Sequence, residues 1–172
     1  MLKKICLAII LTAFIFLVNI CHAGIPKNES SVGGIRIGSN MRQIVNSYGN
    51  PVQSVKKGYE SIIHVLNYND NPIVIKCDAG VMGTNAYDKQ YVTDFIVIDE
   101  SLEMPSGIHC GSTVQELVNT YGEPTRKQQG KENNVIFTNY IYFEGGDYII
   151  FEIHDGIIKL IEIRDMEVNH IF

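Results

Sequence analysis

Apolar residues fall at Met41, Ile44, Val45 and Tyr48, and again at Val114, Leu117, Val118 and Tyr121, each set at the i, i+3, i+4, i+7 spacing of one helix face. The two segments, "MRQIVNSYGNP" and "VQELVNTYGEP", are displaced by the same 73 positions. Before each stands a short apolar pair between glycines, "GIRIG" at 34–38 and "GIHCG" at 107–111. A capping box follows, Asn40 with Gln43 in one copy and Thr113 with Glu116 in the other. Gly49 and Gly122 supply the residue that ends a helix, and Pro51 and Pro124 forbid its continuation. Helices this short do not persist alone in water, because nucleation costs more than so few hydrogen bonds return, so each must dock on something.

After each helix the pattern changes to runs of strand length rich in β-branched and aromatic residues. The first half has "SIIHVLNY", "NPIVIKC" and "YVTDFIVID"; the second has "NVIFTNYIYF", "DYIIFEIH" and "IIKLIEIRD". The breaks "NDNP", "EGGD" and "HDG" are turn chemistry. Each half therefore reads as a helix followed by a three-stranded antiparallel meander, an α+β unit written twice. Aligning the halves places Ile73, Ile75, Cys77, Phe95 and Val97 with Ile149, Phe151, Ile153, Ile161 and Ile163 on the face that meets the helices. The opposite face is then expected to carry His64, Leu66, Tyr68 and Lys76, together with Tyr140, Tyr142, Tyr148, Ile150, Glu152, His154 and Leu160. That mixture is not the polar face of a solvated sheet.

The segment "MLKKICLAIILTAFIFLVNICHA" has two lysines, an apolar run and a small residue for cleavage, the order of a secretory signal peptide ending near Ala23. Its apolar run is shorter than the ~20 residues of a spanning helix. The expected organisation is signal peptide 1–23, flexible lead-in 24–32, first repeat 33–100, linker 101–106 and second repeat 107–172, with no membrane span after removal of the signal. Removal takes Lys3 and Lys4 and no acidic residue, so the net charge moves from −5 to −7. An acidic chain without a basic stripe argues against nucleic acid as a partner. Cys77 and Cys110 remain, one in each half. In an oxidising compartment they can form one disulfide, or remain two buried thiols, and the sequence leaves both open.

Catalytic and metal-binding chemistry is poorly served. Cys110 aligns with the apolar Ile37, and its neighbour His109 projects to the opposite side of an extended segment. The histidines lack the close spacing of a zinc motif, and no glycine-rich phosphate loop is present, so no metal and no cofactor is expected. Tyrosine favours binding instead. Tyr68, Tyr140, Tyr142 and Tyr148, with Glu152 and His154, form the candidate binding set, because tyrosine joins rigid contact area to a hydroxyl. Cross-strand pairing that merely stabilises the sheet is the competing reading.

The pattern G-I-x-x-G, a helix closing on Y-G-x-P, and a meander ending in "GIIKLIEI" resembles the repeat of the beta-lactamase inhibitor protein family. It also resembles the small outer-membrane assembly lipoproteins of the SmpA/OmlA type. The resemblance runs from about Gly33 to Asp165 in two copies. It implies two meanders joined into one curved sheet, helices on one face, and the other face free for another exported or envelope protein. The insertion Asp78–Gln90 is expected to form a protruding loop beside that face. The function expected is a periplasmic or secreted protein-binding module without catalysis. The alternative is a small enzyme or ligand carrier with its site between the repeats.

Overall fold

The computed structural model describes residues 25–58, 61–78 and 84–166. The expected signal peptide lies outside them, as do residues 79–83 of the insertion. Helix α1 spans Met41–Tyr48 and α2 spans Val114–Tyr121. Four strands follow each helix: β1 (Gln53–Lys57), β2 (Ser61–Tyr68), β3 (Asn71–Asp78) and β4 (Val92–Val97), then β5 (Arg126–Glu132), β6 (Val135–Glu144), β7 (Asp147–His154) and β8 (Ile157–Asp165). All eight form one antiparallel sheet in the order β1-β2-β3-β4-β8-β7-β6-β5. The fold is α+β, two helix-plus-meander repeats sharing a single sheet.

Each meander has four strands rather than the expected three. The additional members, QSVKK and RKQQGKE, are polar but for Val55 and Gly130 and almost wholly exposed, so no hydrophobic alternation marks them. Backbone pairing alone makes them strands: β1 lies along β2 and β5 along β6 in continuous register.

The helices cover one face. Met41, Ile44 and Val45 of α1 and Leu117 and Tyr121 of α2 are buried against Leu66, Ile73, Ile75, Phe95, Tyr142, Phe151, Ile161 and Ile163. Thr113 closes the expected capping box with Glu116. Asn40 departs from it: its side chain accepts from Arg42 N at 2.9 Å and donates to Asp88 O at 3.0 Å. The first cap is thus shared with the insertion. Gly49 and Gly122 have φ of 87° and 78° and each returns its N–H to the helix, to Val45 and Val118.

The lead-in is packed rather than loose. Ile25 and Val32 are fully buried in the helix-side core, Lys27–Glu29 forms a 3₁₀ turn, and Glu29 accepts from the Tyr121 hydroxyl at 3.0 Å. The linker packs as well, through Leu102 and Met104, and Gly33 N donates to Glu103 O at 2.9 Å. Short apolar anchors inside polar sequence leave no periodic signal.

Leu117 is completely buried and the helix is too short to survive without its apolar face. Leu117→Ala will lower stability by about 2–5 kcal/mol, and Thr113→Ala by about 1 kcal/mol. Urea unfolding of the two variants tests the order, which reverses if α2 is held mainly by its cap.

Candidate binding surface

Directly opposed residues of paired strands share a face, so the helix-free side can be followed from strand to strand. One row runs Ile63, Lys76, Asp94, Arg164, Tyr148 and Phe143 across β2, β3, β4, β8, β7 and β6. The next crosses all eight strands from Gln53 to Arg126, through Val65, Val74, Ile96, Glu162, Ile150 and Ile141. Apolar side chains dominate this second row, with Glu162 near its middle and Gln53 and Arg126 at its ends.

Charged groups sit within the apolar surroundings in opposite-sign pairs. Lys76 Nζ lies 3.4 Å from Asp94 Oδ2, both almost fully buried. Arg164 reaches Glu162 of its own strand at 2.8 Å. A hydrogen bond of 2.6 Å joins His154 to Glu152. Burying a charge is costly unless it is paired, which accounts for the alternation of sign along the row. Aromatic rings complete the second-repeat half. Tyr148 meets Phe143 edge-on at 4.4 Å, and His154 stacks on Phe137 at 5.7 Å. Phe137 lies over Gly130, where an added Cβ would come within 2.3 Å of the ring.

Tyr148, Glu152 and His154 of the expected binding set therefore share the helix-free face, together with Ile150, Leu160 and Lys76. Tyr68, Tyr140 and Tyr142 do not, nor do His64 and Leu66. Tyr142 is fully buried beneath α2 and donates to Gly122 O at 2.9 Å. Tyr68 packs edge-on against Tyr48 of α1 at 5.1 Å, and Tyr140 packs on the same core with Lys127 4.6 Å above its ring. The reason is turn geometry. Asn69-Asp70 and Gly145-Gly146 are two-residue turns with positive φ, which set Leu66 opposite Ile73 and Tyr142 opposite Ile149. Counting outward from either turn gives the right face. Asn139, Ile141 and Phe143 were missed for the same reason.

Cys77 and Cys110 are both buried free thiols, so the bridge that the sequence left open is not made. Burial pushes each thiol up to about 12, which leaves them protonated and unreactive.

His64 belongs to the helix side. Its Nε2 is 2.6 Å from Gln90 Oε1 and its Nδ1 is 2.8 Å from Ser54 Oγ, with Tyr87 edge-on at 5.6 Å. With Gln90 accepting, the ring proton is on Nε2 and the Ser54 hydroxyl donates to Nδ1. Serine, base and orienter stand in catalytic order, but the neutral Gln90 offers an imidazolium none of the charge stabilisation that an acid gives. The contact pins the insertion instead. Arg42 reinforces it by pairing with Asp88 at 3.1 Å, so the described part of the loop, 84–90, lies against α1 rather than beside the helix-free face. Among the described residues no group of three or more His, Cys, Asp or Glu could hold a metal ion.

No protein-family model matches the chain, and no curated protein matches it in sequence. Solved structures share its fold. An extracellular protein containing an SCP domain from Bacillus anthracis superposes with a TM-score of 0.56 at 10% identity, covering 85% of this chain and 49% of that one. A cysteine-rich secretory protein from Staphylococcus aureus gives 0.58 at 10% identity, covering 84% and 49%. The chain spans about half the length of these two proteins. A proposed beta-lactamase inhibitor protein from Streptococcus mutans is also similar, at 13% identity over 84% of this chain and 91% of that one; its TM-score of 0.32 is too low to carry an argument.

Lys76→Met, which leaves Asp94 buried without its ammonium, will cost about 3–5 kcal/mol, and the double variant Lys76→Met/Asp94→Leu will recover most of that. A double-mutant cycle by urea unfolding checks it; additive losses would mean that the pair is not coupled. Burial holds the His64 imidazole below the usual histidine range, and the hydrogen bond to Gln90 opposes it less strongly. A base with a depressed folded pKa contributes fully above its unfolded value of about 6.5, and the contribution is lost as pH falls. Stability will therefore fall as pH drops below about 6.5, and His64→Gln will flatten the fall; equal slopes in both proteins would refute the assignment.

Proposed function

We propose that this chain is an exported, non-catalytic module that binds another protein through the helix-free face of its sheet. The observation that carries this reading is the row from Val65 to Ile141, which puts Val74, Ile96 and Ile150 on a face opposite the helices. A face meant only for water would alternate polar residues there. The flanking Tyr148–Phe143 pair and the partly exposed Arg164 beside it give the aromatic anchors and fixed charge that interfaces use for affinity and register.

Export rests on the leader-like residues 1–23 and on the two neighbours whose names describe extracellular or secretory proteins. Among the described residues no helix is long and apolar enough to cross a membrane. The sequence resemblance to the inhibitor repeat and to the SmpA/OmlA repeat agrees with a binding role. It points to an exported enzyme held in check or to an envelope protein being assembled. The match to about half of two longer extracellular proteins adds a third setting, in which a fold of this kind accompanies another domain in one chain.

The test uses residues 24–172 as bait on envelope and secreted fractions of the source organism, beside two variants confirmed to be folded. Phe143→Ser/Tyr148→Ser alters the helix-free face, whereas Ile136→Ser alters an exposed side chain on the helix side. A protein retained by the wild type and by Ile136→Ser, but lost at least tenfold with the double variant, is expected. Equal retention by all three baits would remove the face from consideration.

A further inference from the structure

The sheet is open, and its two edges are unlike its middle. Its central strands, β4 and β8, are VTDFIV and IIKLIEIRD, while the edge strands are QSVKK and RKQQGKE. The edges hold Lys56, Lys57, Arg126, Lys127 and Lys131, five of the 14 basic residues of the chain, and Glu132, one of its 19 acidic residues. A chain with net charge −5 thus carries local positive charge along both borders of its sheet. Lys127 is engaged by Glu123 at 2.8 Å and by the Tyr140 ring. The other four basic groups are exposed.

Edge strands expose unpaired backbone groups, and proteins block them with proline, bulges, cover or charge. Neither edge contains proline. The bulges sit inside the sheet, at Lys76/Cys77 and Glu152/Ile153, while the outer ladders run in unbroken register. Charge is the device used here, and charge discriminates by sign. Like charges across a strand pair oppose pairing and opposite charges favour it. A second copy of this chain would set basic strand against basic strand in every combination of its edges, β1 on β1, β5 on β5 or β1 on β5. An acidic strand meets no such opposition.

We propose that β5, the longer edge, receives an acidic extended peptide segment of another exported protein as a ninth strand. Backbone hydrogen bonds from the outer edge of β5 hold the segment in line, as in strand addition generally. Arg126 on the helix-free side and Lys131 on the helix side pair with its carboxylates. This binding does not depend on the helix-free face being an interface. The two readings therefore stand or fall separately.

The probe is a fluorescein-labelled, acetylated seven-residue peptide of Glu and Val, Glu-Glu-Val-Val-Val-Glu-Glu, whose carboxylates fall on both faces of a strand, titrated into the full chain by anisotropy at low salt. Its Lys–Val counterpart and inorganic polyphosphate serve as controls. The Glu–Val peptide is expected to bind, to slow amide exchange selectively in β5, and to bind roughly tenfold more weakly to Arg126→Glu/Lys131→Glu, as reversal of two cross-strand pairs implies. Phe143→Ser/Tyr148→Ser will leave peptide binding unchanged, even if it abolishes protein capture. The proposal is overturned if the peptide fails to bind at low salt, or if the Lys–Val peptide binds as well. Binding without protection of the β5 amides, or equal displacement by polyphosphate without such protection, would show a surface for anions in general and would also overturn it.

Discussion

Everything in this molecule depends on the pairing of β4 with β8. Taken alone, each repeat is four strands with one short helix, and its last strand carries a wholly apolar helix-side face, Phe95 and Val97 in one and Ile161 and Ile163 in the other. Left unpaired, VTDFIV and IIKLIEIRD would be two exposed hydrophobic edges, which invite aggregation. Joined, they become the centre. Phe95, Val97, Ile161 and Ile163 stack on the helix side of that junction, all buried, each contributing about 1.5–3 kcal/mol by removal from water. The polar strands are displaced outward, where their charges face solvent. The order of the sheet thus follows from which strands cannot tolerate being its borders.

The junction also fixes how the repeats are related. Phe95 and Val97 correspond to Ile161 and Ile163, but they pair crosswise, Phe95 with Ile163 and Val97 with Ile161. The equivalent residues Ile96 and Glu162 face each other, so a local two-fold axis passes between them. Backbone hydrogen bonds repeat around it: Gly38 to Val92 and Gly111 to Ile158, Met41 to Gln90 and Val114 to Gly156. Tyr48 bonds Gly33 and Tyr121 bonds Ser106, each fifteen residues back from the helix end. Both repeats even carry their bulge at the same place, between Lys76 and Cys77 and between Glu152 and Ile153. The insertion lengthens one loop without disturbing these bonds, because it is absorbed before Gln90 hands its carbonyl to Met41.

What could be read from the sequence divides along physical lines. Helix faces, stop signals and the six apolar strands were legible because burial imposes a period on side chains. β1 and β5 were not, because backbone pairing rather than burial of an apolar face makes them strands, and their side chains are almost all exposed. The facing of Tyr140 and Tyr142 was written in the Gly145-Gly146 turn, yet strand alternation read without that turn gives the wrong phase. Tyr148, Glu152 and His154 lie beyond that turn, on β7, and their face was read correctly. The packing of Ile25 and Val32 was illegible because it depends on a groove assembled only when both repeats fold. The lesson for duplicated meanders is to let each tight turn set the phase before assigning faces.

The axis itself is where the symmetry of the backbone stops short of the side chains. Its two equivalent positions hold an isoleucine and a glutamate, and the flanking Lys76 and Glu152, equivalent through their bulges, differ in sign. The scaffold is therefore a palindrome spelled with unequal letters. Anything that settles across the middle of the helix-free face meets a different chemistry when turned end for end, so the face has a reading direction that its fold alone does not possess.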